Sequence, residues 1–401
     1  MSKKFYDIHF HAFNLSHPDI LAFIKRFGIE KALFLGSMAP LAAILLKHKI
    51  DDYKNLISLM EHDLGSYFLI VEEILAQNKN CQIIKNEKAI IGGHDYDKIV
   101  LTPLMMDFGY KGLKDKGILY ELKKKPIAEQ VIDLFNGIRD YKNNSKTNIF
   151  EIFPFMGINT ANYTIDELLE LLEKYFKDYT GKENDLLENM GKFDGNIDNI
   201  KSNFFAGIKV YPPLGFDPWP EDNEEERFKV KLLYSCCVEK QIPITSHCSD
   251  GGFLVIDKER HELIGSPERW ERVLTYDGGR YKNLKLNLAH FGWKSSGYVA
   301  TDWAKKIVDL ILRFNNVYTD IAYRGVDDDY YQMLRNFIDS YKDDALIKKL
   351  EDRILFGSDF MINLRDIDSY NDYLCKFSKA KQISSIRDKM CQDNPRRFLN
   401  K

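Results

Sequence analysis

Phe5-Tyr6-Asp7-Ile8-His9-Phe10-His11 places a polar residue at every second position near the start of the chain. Side chains on a strand alternate between its faces. A strand here is therefore expected to turn Asp7, His9 and His11 to one side, with Ile8 and Phe10 packed behind. Two imidazoles on one face, one residue apart, can grip a single metal ion. His-x-His recurs by chance in many chains, so its weight depends on the rest of the sequence. Lys209, His247, His290 and Asp359 add to it, each a polar group at the end of an otherwise apolar run.

Those runs read as strands. After the first come Lys98–Asp107, Asn148–Met156, Phe205–Tyr211, Pro243–Cys248, Leu284–His290, Val317–Ala322 and Arg353–Asp359, eight in all. Helical spacing fills the intervals at Ile127–Tyr141, Ile165–Tyr179, Glu225–Lys240, Pro267–Leu274, Trp303–Phe314 and Tyr330–Lys342. Strands alternating with helices imply a parallel sheet, and eight such units imply a closed barrel. The expected fold is α/β, a (β/α)8 TIM barrel built as a single domain from residues 1–401. A helical insertion or lid is expected over 12–97, between the first and second strands. Within it Ser16-His17-Pro18-Asp19 reads as a helix start, and Asp51–Gln77 as helix with a kink at Gly65. Lys182–Ser202 reads as a solvated excursion. The acidic run Glu221–Glu226 reads as an exposed helix start, where carboxylates suit the dipole.

Bulk properties narrow the function class. At 44% hydrophobic residues the chain can bury a large core, and a net charge of −3 gives no basic field for nucleic acid or an anionic membrane. Ala32–Leu46 is apolar, but Pro40 interrupts it and Lys31 and Lys47 bracket it. It falls short of the roughly 20 residues that span a bilayer, so a buried helix or an apolar lid is expected. The six cysteines (Cys81, Cys236, Cys237, Cys248, Cys375, Cys391) form no CxxC pair, and no signal peptide precedes the first strand. Reduced thiols and a cytoplasmic location are therefore expected. The expected partner is a small-molecule substrate, with no nucleic acid and no membrane; a homo-oligomer is compatible with the composition.

Several motifs together resemble the amidohydrolase superfamily of metal-dependent barrels, and within it the amidohydrolase-related branch that also includes decarboxylases. They are Asp7-x-His9-x-His11, Gly207-Ile208-Lys209-Val210-Tyr211-Pro212, Thr245-Ser246-His247, Leu288-Ala289-His290-Phe291-Gly292 and Ile354-Leu355-Phe356-Gly357-Ser358-Asp359. The tail Asn394-Pro395-Arg396-Arg397-Phe398-Leu399 resembles the family's closing helix. Coverage is essentially the whole chain apart from the insertion. Met361 departs from the pattern, since relatives often carry Pro there; this affects a loop more than a ligand. The resemblance implies His9, His11, His247 and Asp359 as metal ligands. It also implies Asp359 as the group that takes a proton from the attacking water, and His290 as a polariser of the substrate carbonyl. Neutral imidazoles and a carboxylate suit Zn²⁺, and an open coordination position makes a site catalytic. Lys209 is ambiguous. Carbamylated, it would bridge two metals with His247 and His290 on the second; as an ammonium beside one metal it would hold a substrate anion. One ion is favoured.

Lining residues follow from strand ends. Arg324 has the planar fork to clamp a carboxylate. Tyr211, Trp293 and Tyr323 would form aromatic walls, and Met105 and Met106 an apolar floor with Asp107 as a polar outlier. His48 and His62 read as ordinary surface or packing residues, His94 has a weaker claim on a lid, and His17 and His261 carry no signal. Cys248 reads as packing. The expected activity is metal-dependent hydrolysis of an amide, ester or lactone in a small carboxylated substrate. The alternatives are non-oxidative decarboxylation on the same fold and a metal-binding barrel without turnover.

Overall fold

The first strand, β1 (Lys4–Phe10), is buried along all but its first residue, as expected for a strand covered on both faces. The structure, a computed structural model, describes residues 2–15, 54–78, 81–107, 126–294, 300–327 and 329–399. The expected helix start at 16–19, the apolar run 32–46, and His17 and His48 lie outside the described residues.

After β1 the described chain is helical over 54–60 and again in α1 (Leu64–Gln77). The break falls at 61–63, where Asp63 caps α1 by accepting from Ser66 N, rather than at Gly65. An antiparallel sheet follows, β2 (Ile84–Lys85), β3 (Lys88–Ile91) and β4 (His94–Tyr96), within the stretch read as helical insertion. Then come β5 (Lys98–Pro103), α2 (Pro126–Asn144), β6 (Phe150–Ile152), β7 (Phe155–Gly157), α3 (Ile165–Phe176) and α4 (Glu183–Gly191). Helix α4 lies in the stretch read as a solvated excursion. The second half runs β8 (Gly207–Val210), α5 (Glu224–Lys240), β9 (Ile244–Ser246), α6 (Lys258–Ile264), α7 (Pro267–Gly279), β10 (Leu286–Leu288) and α8 (Asp302–Arg313). It ends with β11 (Val317–Asp320), α9 (Tyr330–Asp339), α10 (Asp344–Glu351), β12 (Ile354–Leu355), α11 (Tyr370–Lys379) and α12 (Asn394–Leu399).

Outside the small antiparallel sheet, every strand pairing is parallel, in the orders β1-β5-β6 and β7-β8-β9-β10-β11-β12. The third expected strand is divided between the two sheets. Pro154 stands at the division and has no N–H to donate. Hydrogen bonds run between the two sheets on both sides. Met105 N donates to Phe155 O (3.1 Å) on one side, and Ile8 N to Phe356 O (3.2 Å) and Asp359 N to His9 O (2.7 Å) on the other.

Tyr6, Ile8, Val100, Phe155, Tyr318 and Leu355 pack together with Phe398 and Leu399 of α12. Helices cover the outside, and their starts are locally encoded. Thr164 and Glu167 form a reciprocal capping box on α3, Thr301 caps α8, and Asn223 caps α5 with Glu224–Glu226 in its first turn.

One predicted alignment fails. Asp7 does not share a direction with the two histidines. Its Oδ2 accepts from Tyr370 OH of α11 (2.9 Å) and its Oδ1 from Ser358 N (2.9 Å). The β1–β5 register shifts between Asp7 and Phe10, which breaks the strict alternation that put all three on one face.

The expectation of reduced thiols fails at one pair: Cys81 and Cys375 form a disulfide between the segment after α1 and helix α11. Among the described residues no helix is long and apolar enough to cross a membrane.

Candidate metal centre

His9 and His11 reach the site because strand β1 ends against the Gly357-Ser358-Asp359 turn. A Cβ on Gly357 would lie 2.6 Å from His9 Cβ, so only glycine leaves room for that side chain. Ser358 Oγ accepts from Phe360 N (3.0 Å), and Asp359 then turns inward with φ 59°. Its Oδ1 lies 3.1 Å from His11 Nε2 and 3.3 Å from His9 Nε2. These three form a buried cluster of ligating atoms.

The outer nitrogens tell which inner ones are free. His11 Nδ1 faces the carbonyl of Leu104 (3.2 Å) and His290 Nδ1 that of Ala322 (3.1 Å). A carbonyl only accepts, so both rings carry the proton on Nδ1 and present a bare Nε2. His247 is held the other way round: its Nε2 faces Gly251 O (3.0 Å) and Ser249 Oγ (3.0 Å). That leaves His247 Nδ1 bare, 3.0 Å from the bare Nε2 of His290. Two lone pairs at that distance repel unless a cation or proton lies between them. His9 Nε2 is likewise buried without a hydrogen-bond partner. A donor set of imidazole nitrogens and one carboxylate, with an orphaned nitrogen at its centre, fits a divalent metal.

Electrostatics agree. Burial works to raise the Asp359 carboxyl, but the His11 and His9 imidazoles beside it outweigh that and hold it well below the usual carboxylate range. Burial lowers His11 despite Asp359, and lowers His290 to about 4. It also pushes His247 well below its ordinary value, with His290 and Lys209 adding to the effect. His9 is pulled down by burial and up by Asp320, with a net rise. Neutral imidazoles are the ligating form, and burial favours that form at His11, His247 and His290.

A cavity of about 680 Å³ opens above the cluster, lined by His11, Tyr211, His247, His290, Trp293, Arg324 and Asp359 among others. His9 and Lys209 lie beneath it. Lys209 is buried and its Nζ has no hydrogen-bond partner among the described residues; the Tyr211 ring lies 5.5 Å away. Burial lowers its pKa to about 8, against the pull of Asp320 and Asp359. Arg324 is buried between the rings of Trp293 (4.7 Å) and Tyr330 (5.4 Å), and among the described residues Asp327 at 3.9 Å is its counter-charge. Tyr323 and Met106 line the cavity.

One other expectation is displaced, that of Asp107 as a polar group on the cavity floor. Asp107 is a loop tie, accepting from Asn159 N (3.1 Å), Asn162 Nδ2 (2.8 Å) and Tyr163 OH (3.0 Å). His94 sits in β4, exposed, with Nδ1 2.8 Å from Asp388. His62 is exposed and Cys248 fully buried. His261, given no role, is buried with Nε2 2.9 Å from Ser249 O. The residue that sequence reasoning missed is Asp320 at the end of β11. It is fully buried, 2.9 Å from His9 Nδ1. Its only signal was an aspartate ending an apolar strand in the same position as the other polar groups.

A search of the curated proteins finds no match. Two solved structures align with much of the chain. A probable 2-pyrone-4,6-dicarboxylic acid hydrolase from Acinetobacter baumannii aligns at 10% identity over 76% of this chain and 84% of its own, with TM-score 0.42. The phosphotriesterase homology protein from Escherichia coli aligns at 10% identity over 100% of this chain and 99% of its own, also at 0.42. At such scores neither likeness bears on the reaction. The family model described as Amidohydrolase matches residues 196–401, just over half of the chain. That span contains Lys209, His247, His290, Asp320, Arg324 and Asp359, and on it the chain belongs to the amidohydrolase family, as an enzyme of the metal-dependent hydrolase class.

Proposed function

We propose that the chain is a zinc-dependent (β/α)8-barrel enzyme that hydrolyses an amide, ester or lactone bond in a small carboxylated substrate. Support for a closed barrel comes from the hydrogen bonds that run between the two sheets on both sides. The observation that carries the reaction is the meeting of His9, His11 and Asp359 around an orphaned imidazole nitrogen, under a cavity that also holds His247, His290 and Arg324. His9, His11, His247 and Asp359 would hold the ion. Bound there, it supplies Lewis acidity and a water of near-neutral pKa.

The chain's own residues do the rest. Asp359, ionised because its carboxyl is held low, takes the proton of the attacking water and returns it to the leaving group. His290 faces the cavity beside His247 and polarises the substrate carbonyl. Arg324, desolvated and with Asp327 no nearer than 3.9 Å, receives the substrate anion, while Trp293, Tyr211 and Tyr323 wall the site against water. Lys209 lies under the cavity and is read as a buried amine beside one ion.

Metal content of protein purified without added metal tests this, together with turnover of carboxylated esters, lactones and amides. About one zinc per chain and water-dependent turnover is the expected result. About two would assign Lys209 as a carbamylated bridge with His290 on the second ion. Carbon dioxide release without water uptake would turn the assignment to decarboxylation, and no metal after incubation with excess would sink the ligand set. Arg324→Gln should raise KM by roughly 10- to 100-fold with a smaller change in kcat, because it removes ground-state binding.

A further inference from the structure

Asp320 accepts four hydrogen bonds and leaves neither oxygen free. Oδ2 takes His9 Nδ1–H at 2.9 Å and Asn287 Nδ2 at 2.7 Å. Oδ1 takes the backbone N–H of His290 at 2.9 Å and of Ala322 at 3.0 Å. Ala322 in turn accepts the Nδ1–H of His290 (3.1 Å), so the same carboxylate fixes both the backbone and, through one residue, the ring of His290. His290 holds φ 62°, a conformation an L-residue keeps only when its surroundings impose it. The donor set spans three strand ends: His9 from β1, Asn287 and His290 from β10, and Ala322 just past β11.

From this geometry we infer that Asp320 is the positioning residue of the site, setting the tautomer of His9 and locking His9 and His290 into one unit. This inference rests on the metal-centre reading above. A carboxylate can only accept here, so His9 must carry its proton on Nδ1 and turn a bare Nε2 toward Asp359 and His11. Without that acceptor the imidazole has no reason to keep its lone pair on the ligating side. Metal-ligating histidines depend on such outer partners for orientation and basicity. Asp320 does not line the cavity, so it acts through His9 and His290 and not on substrate.

The bland alternative is a buried strand tie, in which Asp320 matters only for folding. Asp320→Asn separates the two. An amide offers one acceptor oxygen where the carboxylate uses both. If the oxygen keeps the two backbone N–H groups, the NH₂ faces His9, and His9 must move its proton to Nε2, where it blocks ligation. Metal-free wild-type protein is expected to show His9 as the Nδ1–H tautomer by ¹⁵N imidazole NMR, assigned by the signal lost in His9→Gln. Asp320→Asn is expected to show Nε2–H and to bind zinc about 10- to 100-fold more weakly in chelator competition. Asn287→Ala loosens the same strands but leaves the His9 contact, and should keep the Nδ1–H tautomer and zinc affinity within about threefold.

An Nε2–H tautomer for His9 in the wild type would overturn the inference, even if Asp320→Asn does not fold. Wild-type zinc affinity in Asp320→Asn, or an equal loss in Asn287→Ala, would also overturn it. A wild type that binds no zinc would remove the metal-centre reading, while the tautomer measurement would still decide what Asp320 does to His9.

Discussion

A buried ammonium with no acceptor is among the costlier things a folded chain can hold, and Lys209 is one. Burial brings its pKa from 10.5 to about 8. A base depressed in this way contributes stability above its unfolded pKa that is lost as pH falls through its folded value, so at neutral pH the penalty is fully present. Lys209→Met should therefore stabilise the metal-free protein by up to ~3 kcal/mol at pH 7, at 1.36 kcal/mol per pKa unit. The gain over wild type should shrink as pH rises from 8 to 10.5, and activity should fall. Thermal melts of chelator-treated protein across that range check it; equal melting temperatures at pH 7 would show the amine to be paired. At this scale the sequence was readable where spacing speaks. His9, His11 and Asp359 were marked by strand ends and do converge. Asp320 and the direction of Asp7 were not readable, because one is a lone aspartate on a strand and the other depends on a register shift. Nor does any pattern announce the positive φ of His290, Tyr323 and Asp359, which tertiary contacts enforce.

Elements were legible to the extent that local chemistry encodes them. All six expected helices form, with termini moved by a few residues. The failures have local causes. The β2–β3 turn uses Asn86 and Glu87 at φ 52° and 60° with no glycine to flag it, although Gly92-Gly93 before β4 was an available hairpin signal. Helix α4 begins without a side-chain cap and is rich in Asn, Asp and Glu, so its composition resembled loop. Gly65 was read as a kink, but its role is in packing. A Cβ there would meet Asp140 Cβ at 2.8 Å, and one at Gly137 would meet Leu64 Cβ at 2.5 Å and its carbonyl carbon at 2.8 Å. The two glycines let α1 and α2 touch nearly backbone to backbone. Gly137→Ala sets two effects against each other. Better helix propensity offers ~1 kcal/mol, whereas an overpacked contact against backbone costs ~1–3 kcal/mol. The clash should win. Urea unfolding should show a net loss of up to ~2 kcal/mol, and a gain would mean α1 shifts freely on α2.

At the scale of the whole molecule, the same helix that braces the site also anchors the segment inserted after β1. Tyr370 OH of α11 holds Asp7, and Tyr373 OH donates to the carbonyl of Gly357 (3.2 Å) and accepts from Gly325 N (3.3 Å), beside Asp359 and Arg324. Cys375 on that helix is bonded to Cys81, 294 positions away, and Asn371 Nδ2 adds a hydrogen bond to Cys81 O (3.0 Å). Such a pair has no sequence signature, because only the fold brings its halves together. The other four cysteines are free, and burial raises each, Cys236 to about 11 and Cys391 to about 12. A thiol reacts as thiolate, so the native protein should alkylate slowly at pH 8. Unfolded in denaturant without reductant, it should take four labels by intact mass, and six after reduction. Six labels before reduction would mean that the two sulfurs are not joined. If they are, Cys375→Ser should lower unfolding stability by ~2–5 kcal/mol. Because α11 braces β1 and the Asp359 turn, zinc should also dissociate faster from that variant than from the wild type. Loss of stability with an unchanged zinc off-rate would confine the bridge to holding the insertion in place.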